Sequence, residues 1–248
     1  MKKYLIMFLI VVLCVSTAGY LCFASGNEAA PETSEADIAI LEGAIVALES
    51  DRLTMRETNG SNIEYVVLLH ENTIYEGKEI LEVGDRISVQ YNGMMTRSLP
   101  AQINADVISC HMMTGLVSDM AEGQFLLNLP DASQFLVVYD MEKFMGVQDG
   151  MTVTVYYNGA STRSIPPQIT AEHIRTQGMT GVISVVTEGV EFILTDENGL
   201  DTIVHIAPFT FSFVELTEGE KVTVTTDGIA TMSLPPQVNA VEILPAAE

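Results

Sequence analysis

Three stretches of 25 residues, Gly84 to Ile108, Gly150 to Ile174 and Gly219 to Ile243, align with one another without a gap. Nine positions are identical in all three: in the first copy Gly84, Val89, Gly93, Thr96, Ser98, Pro100, Gln102, Ala105 and Ile108. The periods are 66 and 69 residues, so the chain is built from three like units, and each unit needs a core of its own. Length alone would suggest one or two domains. The repeat replaces that prior with three small ones.

The upstream half of each copy varies more but keeps its outline. Copies open at Gly43, Gly115 and Gly181, each followed by apolar residues. A second apolar stretch follows at Leu53–Met55, Phe125–Leu127 and Phe192–Leu194, and a third at Tyr65–Leu69, Phe135–Tyr139 and Ile203–Ile206. Turn residues such as Asn59-Gly60 and Asn198-Gly199 separate them, which predicts hairpins. A longer connection, Glu71 to Val83 in the first copy, has room for a short helix or a turn. The fourth strand alternates clearly in Lys221-Val-Thr-Val-Thr-Thr, and a short fifth strand lies near Ala105 to Ile108. Pro100, Pro166 and Pro235 precede the fifth strand and have no place in a central strand. The expectation is an all-β chain of three tandem five-stranded OB-like barrels after an N-terminal hydrophobic leader. SH3-like barrels and flattened β-sandwiches are the alternatives. The expected divisions are 1–24 (leader), 25–38 (linker), 39–112, 113–178 and 179–248. Short joints at Cys110–Thr114 and Thr176–Thr180 predict a stiff rod of three barrels.

The run Tyr-Asn-Gly, then Thr-Arg-Ser-Leu/Ile-Pro-Ala/Pro-Gln-Ile, resembles a family of small exported bacterial OB-like domains of uncharacterised function. The resemblance covers the later 25 residues of each copy. The third copy departs from it, with Thr226-Asp-Gly for Tyr-Asn-Gly and Met232 where the others have Arg97 and Arg163. The resemblance implies a location and a fold, and it carries over no catalytic residue.

Residues 1–24 begin Met-Lys-Lys and continue as an apolar run from Tyr4 to Ala24, the pattern of an export signal. That run is also long enough to span a bilayer, so a cleaved signal and a retained anchor both fit. Residues 25–38 are acidic and poor in buriable groups, and read as a flexible tether. Cys14 and Cys22 lie in the leader, which leaves Cys110 without an internal disulfide partner. In a strand, such a cysteine reads as a small buried hydrophobe.

The chain has 33 acids against 11 Lys and Arg, a net charge of −22, and two of the cations, Lys2 and Lys3, are in the leader. So acidic a surface disfavours phosphate backbones, and no nucleic-acid partner is expected. Thr96, Ser98, Gln102 and their counterparts, including Gln168 and Gln237, would either line a repeated ligand site or tie the proline loop to its own backbone, the second being favoured. Gly93, Gly159 and Gly228 follow Asn or Asp and predict type I′ turns. Arg97 and Arg163 occupy one place in two copies. They would bind an anion or, by preference, pair with a local acid. Pro208-Phe-Thr-Phe-Ser-Phe213 alternates Phe209, Phe211 and Phe213, as a docking strip or, by preference, as barrel core. Asp196 to Asp201 lacks EF-hand spacing and reads as a hairpin turn. His70, His111, His173 and His205 show no metal-ligand spacing. No phosphate loop, nucleophile elbow or paired-carboxylate motif occurs, so no cofactor, metal or catalytic residue is expected. These readings lead to an exported, non-enzymatic spacer or protein-interaction module of the cell envelope, with an unidentified envelope protein or ligand as partner and membrane contact only through the leader. A binder of cations or a small ligand is the second reading, and an envelope hydrolase the third.

Overall fold

The structure, a computed structural model, describes residues 38–246 except 60, 145 and 188. The leader, nearly all of the tether and Gly60 of the Asn59-Gly60 turn lie outside the described residues. The described chain is all-β.

In the first copy β1 (Ala39–Leu48), β2 (Arg52–Glu57) and β3 (Glu64–Leu68) form an antiparallel meander. The connection after β3 holds no helix. Part of it is a strand, β4 (Ile74–Gly77). β5 (Arg86–Tyr91) returns against β1, and β6 (Ala101–Asn104) runs parallel to β3. The first part of β7 (Val107–Ala121) lies between β4, in parallel, and β5, antiparallel. Counting β3 with β4 and β6 with the start of β7, the cyclic order is 1-2-3-5-4, with strands 3 and 5 parallel. That is the order of the OB barrel.

The second copy repeats this order with the rest of β7, then β8 (Gln124–Asn128), β9 (Gln134–Val138), β10 (Thr152–Tyr157), β11 (Gln168–Thr170) and β12 (His173–Thr176). The third is a closed barrel of β13 (Met179–Thr187), β14 (Glu191–Thr195), β15 (Asp201–Ser212), β17 (Gln237–Pro245) and β16 (Lys221–Ala230).

The nine invariant positions divide by physical task. Val89, Ala105 and Ile108 and their counterparts are buried in the three cores. Gly84, Gly150 and Gly219 have φ of 98°, 86° and 90°, a region that favours glycine. The other five build the proline loop described below. Aliphatic side chains dominate the cores, with Phe125 and Phe192 the largest fully buried groups of the second and third.

The rod is not found. The joint expected at Cys110–Thr114 is the middle of β7, whose first part pairs with β5 and whose later part pairs with β10 and β8. The first two barrels thus share one strand and one 12-stranded sheet. The third barrel packs on the first. Phe213 and Leu244 of the third copy are buried in one cluster with Ala44 of the first, and Val46, Val83 and Phe211 pack around them. Short joints bring apolar faces within reach of one another, and burying those faces outweighs an extended arrangement.

Candidate functional site

The loop after the fourth strand is built three times in the same way. It starts with an Asx turn: the side-chain oxygens of Asn92, Asn158 and Asp227 accept from the backbone N–H of Met94, Ala160 and Ile229 at 3.0–3.1 Å. Gly93, Gly159 and Gly228 follow with φ of 75°, 83° and 79°. A type I′ turn needs positive φ at two successive residues, and the preceding Asn or Asp does not have it, so that expectation is corrected to an Asx turn.

Further along, Thr96 and Gln102 exchange two bonds. The Thr96 N–H donates to the Gln102 carbonyl, and the Gln102 N–H donates to Thr96 Oγ1. The Thr96 and Ser98 hydroxyls are 2.7 Å apart, and Ser98 donates to the Pro100 carbonyl at 2.7 Å. The same bonds recur through Thr162, Ser164, Pro166 and Gln168, and through Thr231, Ser233, Pro235 and Gln237. The peptide before each of the three prolines is cis. The invariant hydroxyls therefore hold the loop to itself. The Gln237 side chain also meets His205 Nε2 at 3.1 Å. Nothing in the structure explains the amide side chains of Gln102 and Gln168.

The stitched loop holds one aliphatic side chain fully in solvent. Leu99, Ile165 and Leu234 occupy the same position and are 99%, 100% and 97% exposed. Arg97 and Arg163 stand exposed two residues earlier, and Met232 replaces them in the third copy, equally exposed. The local acid expected beside each arginine is not found, for among the described residues neither guanidinium makes an ion pair. The three segments Asn92–Gln102, Asn158–Gln168 and Asp227–Gln237 contain a single acid, Asp227, and its carboxylate accepts from Asn239.

A second constellation lies where the barrels converge. Glu242 on β17 is 1% exposed. It accepts from Arg86 of the first barrel at 2.7 Å and from Arg175 of the second at 2.6 Å. His173 Nε2 of the second barrel lies 3.1 Å away, without the alignment of a hydrogen bond. Arg175 also donates to Tyr156 Oη and to the Gly84 carbonyl. Burial alone would raise the Glu242 pKa, but His173, Arg175 and Arg86 outweigh it and hold the carboxyl well below the usual range. Burial pushes the His173 imidazole below its ordinary value. Beside this cluster a cleft of about 990 Å³ opens between the first two barrels, lined among others by Glu42, Arg86, Lys143, Tyr156, Glu172 and His173.

The phenylalanines divide. Phe213 is buried and Phe211 half-buried against the first barrel, with the Arg56 guanidinium 5.2 Å from the Phe211 ring centre and donating to the Ser212 carbonyl at 3.0 Å. They do not belong to the core of their own barrel, which corrects the preferred reading: this strip docks the third barrel on the first. Phe209 is 66% exposed. The Asp196 segment forms the β14–β15 turn, with Asp196 Oδ1 accepting from Asn198 and Leu200. Cys110 is buried, and its thiol is pushed up to about 12, by burial first and then by the Asp85 charge.

The reading of residue types missed Glu242, Arg86 and Arg175, and left His173 as a scattered histidine. A signal was present in the alignment. Val107, His173 and Glu242 occupy one repeat position, so two copies replace an apolar strand residue by a titratable one.

No family model matches the chain. No curated protein matches it. Among solved structures, the chain is similar to a multidomain protein with nucleic acid binding domains from Streptococcus pneumoniae TIGR4, at 10% identity and a TM-score of 0.21, over 82% of this chain and 73% of that one. It is also similar to a structure described as Drosophila Unr CSD456, at 11% identity and a TM-score of 0.21, over 84% of this chain and 98% of that one. The exclusion of nucleic acid drawn from net charge is withdrawn. Net charge is a sum over the whole surface, and a ligand meets only the local part of it. The fold assignment rests on the strand order itself: three OB-like barrels, two of them sharing a strand.

Proposed function

We propose that this chain is an exported, non-enzymatic interaction module of the cell envelope, and that its three proline loops are the contact surface. One observation carries the reading. Each copy spends its invariant polar residues on stiffening a loop whose tip exposes an aliphatic side chain to solvent. A protein gains nothing in folding from a fully exposed Leu or Ile, and a rigid loop gives such a side chain a low entropic cost on contact. The spacer reading loses its support, because the barrels pack together instead of extending. The groups that resemble catalytic ones are otherwise engaged. The Cys110 thiol is buried and held protonated, and the loop hydroxyls bond to one another and to the backbone. Export follows from the leader and from the resemblance to exported bacterial domains.

The test uses isolated envelopes and the protein lacking its leader. The wild-type protein should be retained, and the triple variant Leu99→Ser, Ile165→Ser, Leu234→Ser should be lost. Equal retention of both would refute the reading. A second reading, a small ligand in the cleft between the first two barrels, is favoured by the cleft's volume, which falls in the range of ligand pockets.

A further inference from the structure

We propose that the partner of the three loops is a lipid bilayer carrying anionic headgroups, with Leu99, Ile165 and Leu234 entering the acyl boundary and Arg97 and Arg163 lying among the headgroups. The inference rests on the reading of the loops as contact surface.

The distribution of charge supports it first. The chain holds 33 acids, yet the three loops, which make up 33 residues, hold only Asp227. Two of the nine cations outside the leader fall in the same loops. Acidic groups that cover the rest of the sequence are thus absent where an aliphatic side chain projects. A cationic protein partner would be drawn to the opposite pattern.

The chemistry of the tips is the second support. Each tip projects an aliphatic side chain fully into solvent, and Met94 and Met95 of the first loop and Ile229 and Met232 of the third are exposed beside it. Protein interfaces draw most of their affinity from Trp, Tyr and Arg seated in pockets, and Leu is under-represented among those anchors. A protein would have to supply three matching pockets, whereas the acyl boundary accepts a projecting Leu or Ile at any point. The arginine two residues away suits the headgroup level, where a long side chain places its charge in the polar layer.

The acidic remainder of the molecule is repelled by anionic lipid, but that repulsion is screened beyond about 8 Å at physiological ionic strength. Only the loops need to come closer. One tip gives weak attachment, each buried aliphatic side chain contributing about tenfold in affinity, and loops that act together on one chain multiply these factors.

Residues 36–248 form one compact unit that holds all three cores and the contacts between barrels, and the test uses this piece without the apolar leader. It is sedimented with phosphatidylcholine vesicles, with or without phosphatidylglycerol. The wild type should bind the anionic vesicles. The Leu99→Ser, Ile165→Ser, Leu234→Ser variant should lose about a hundredfold or more in affinity while keeping its melting temperature. Arg97→Gln with Arg163→Gln should lose about fivefold per arginine on anionic vesicles and nothing on neutral ones. Absent wild-type binding, or wild-type affinity in the triple serine variant, would overturn the proposal. If vesicles bind nothing while isolated envelopes retain the wild type and lose the triple variant, the lipid assignment falls and the loop surface stands. If envelopes do not distinguish the two proteins, the loop reading itself falls.

Discussion

Replacing Glu242 with Gln keeps the shape of the side chain and removes one charge from a site that is 1% exposed. Two guanidiniums, from two other barrels, donate to that carboxylate at 2.7 and 2.6 Å. The amide retains one oxygen acceptor and turns an NH₂ group toward the second cation. Arg86 and Arg175, both partly buried, are then left with no opposing charge between them. Removing one member of a buried ion pair costs about 3–5 kcal/mol, a large part of the total stability of an ordinary domain. The expected loss for Glu242→Gln is in that range, and it should appear in urea unfolding as a lower midpoint. Coupling gives a second readout: after Arg86→Ala, the further change at Glu242 should cost less than it does in the wild type. A loss below about 1 kcal/mol, or full additivity of the two changes, would refute the argument that Glu242 ties the barrels together.

Three further outcomes follow from the same geometry. Gly159→Val should destabilise the protein by about 1–3 kcal/mol, because φ is 83° and a Cβ there would lie 2.6 Å from His111 Nε2; an unchanged melting temperature would contradict this. Phe213→Ala should cost about 3 kcal/mol by emptying the contact between the first and third barrels, while Phe209→Ala on the exposed part of β15 should cost little, and equal effects in thermal unfolding would be evidence against that contact. Acidification should destabilise the chain in two steps of the same sign. His173 is pushed below its ordinary value, so the unfolded chain takes up the proton first and stability falls once the pH drops below about 6.5, by at most about 1.4 kcal/mol per pH unit. Glu242 is depressed, so its contribution is present above about pH 4.3 and is lost as the pH falls further, through the folded value. A stability that stays flat from pH 7 to 5.5, or a slope unchanged by His173→Asn, would sink the His173 part.

What could be read from the sequence and what could not are separated by the repeat itself. Identity among copies marks what each barrel needs: Val89, Ala105 and Ile108 for its core, Gly84 and Gly93 for positive φ, and the Thr-Ser-Pro-Gln set for its loop. Those roles are local, and residue chemistry at fixed spacing is enough to suggest them. The arrangement of the barrels depends on positions where the copies differ. Val107, His173 and Glu242 are equivalent by alignment, and His173 and Glu242 meet across two barrels. Gly84 combines both kinds of constraint. Its φ is shared with Gly150 and Gly219, but here alone a Cβ would meet Leu244, at 2.5 Å, where the third barrel leans on the first. Contacts between copies carry no periodic signal, so Phe211 and Phe213 read as core when they are docking residues, and Cys110–Thr114 reads as a joint when it is mid-strand. The exposure of Leu99, Ile165 and Leu234 was equally hidden, since an apolar residue beside a proline looks like any strand residue until the loop's hydrogen bonds are seen.

The packing of the third barrel on the first is the claim on which the tie through Glu242 and the folding-back of the third barrel both depend. Nuclear Overhauser contacts in protein labelled at Leu and Ala methyls measure it directly. The Leu244 δ-methyl should show a cross-peak to the Gly84 α-protons, and the Ala44 methyl should show one to Leu244 or to the Phe213 ring. Absence of both, with the contacts inside each barrel intact, would contradict the account and leave the third barrel unpacked against the first.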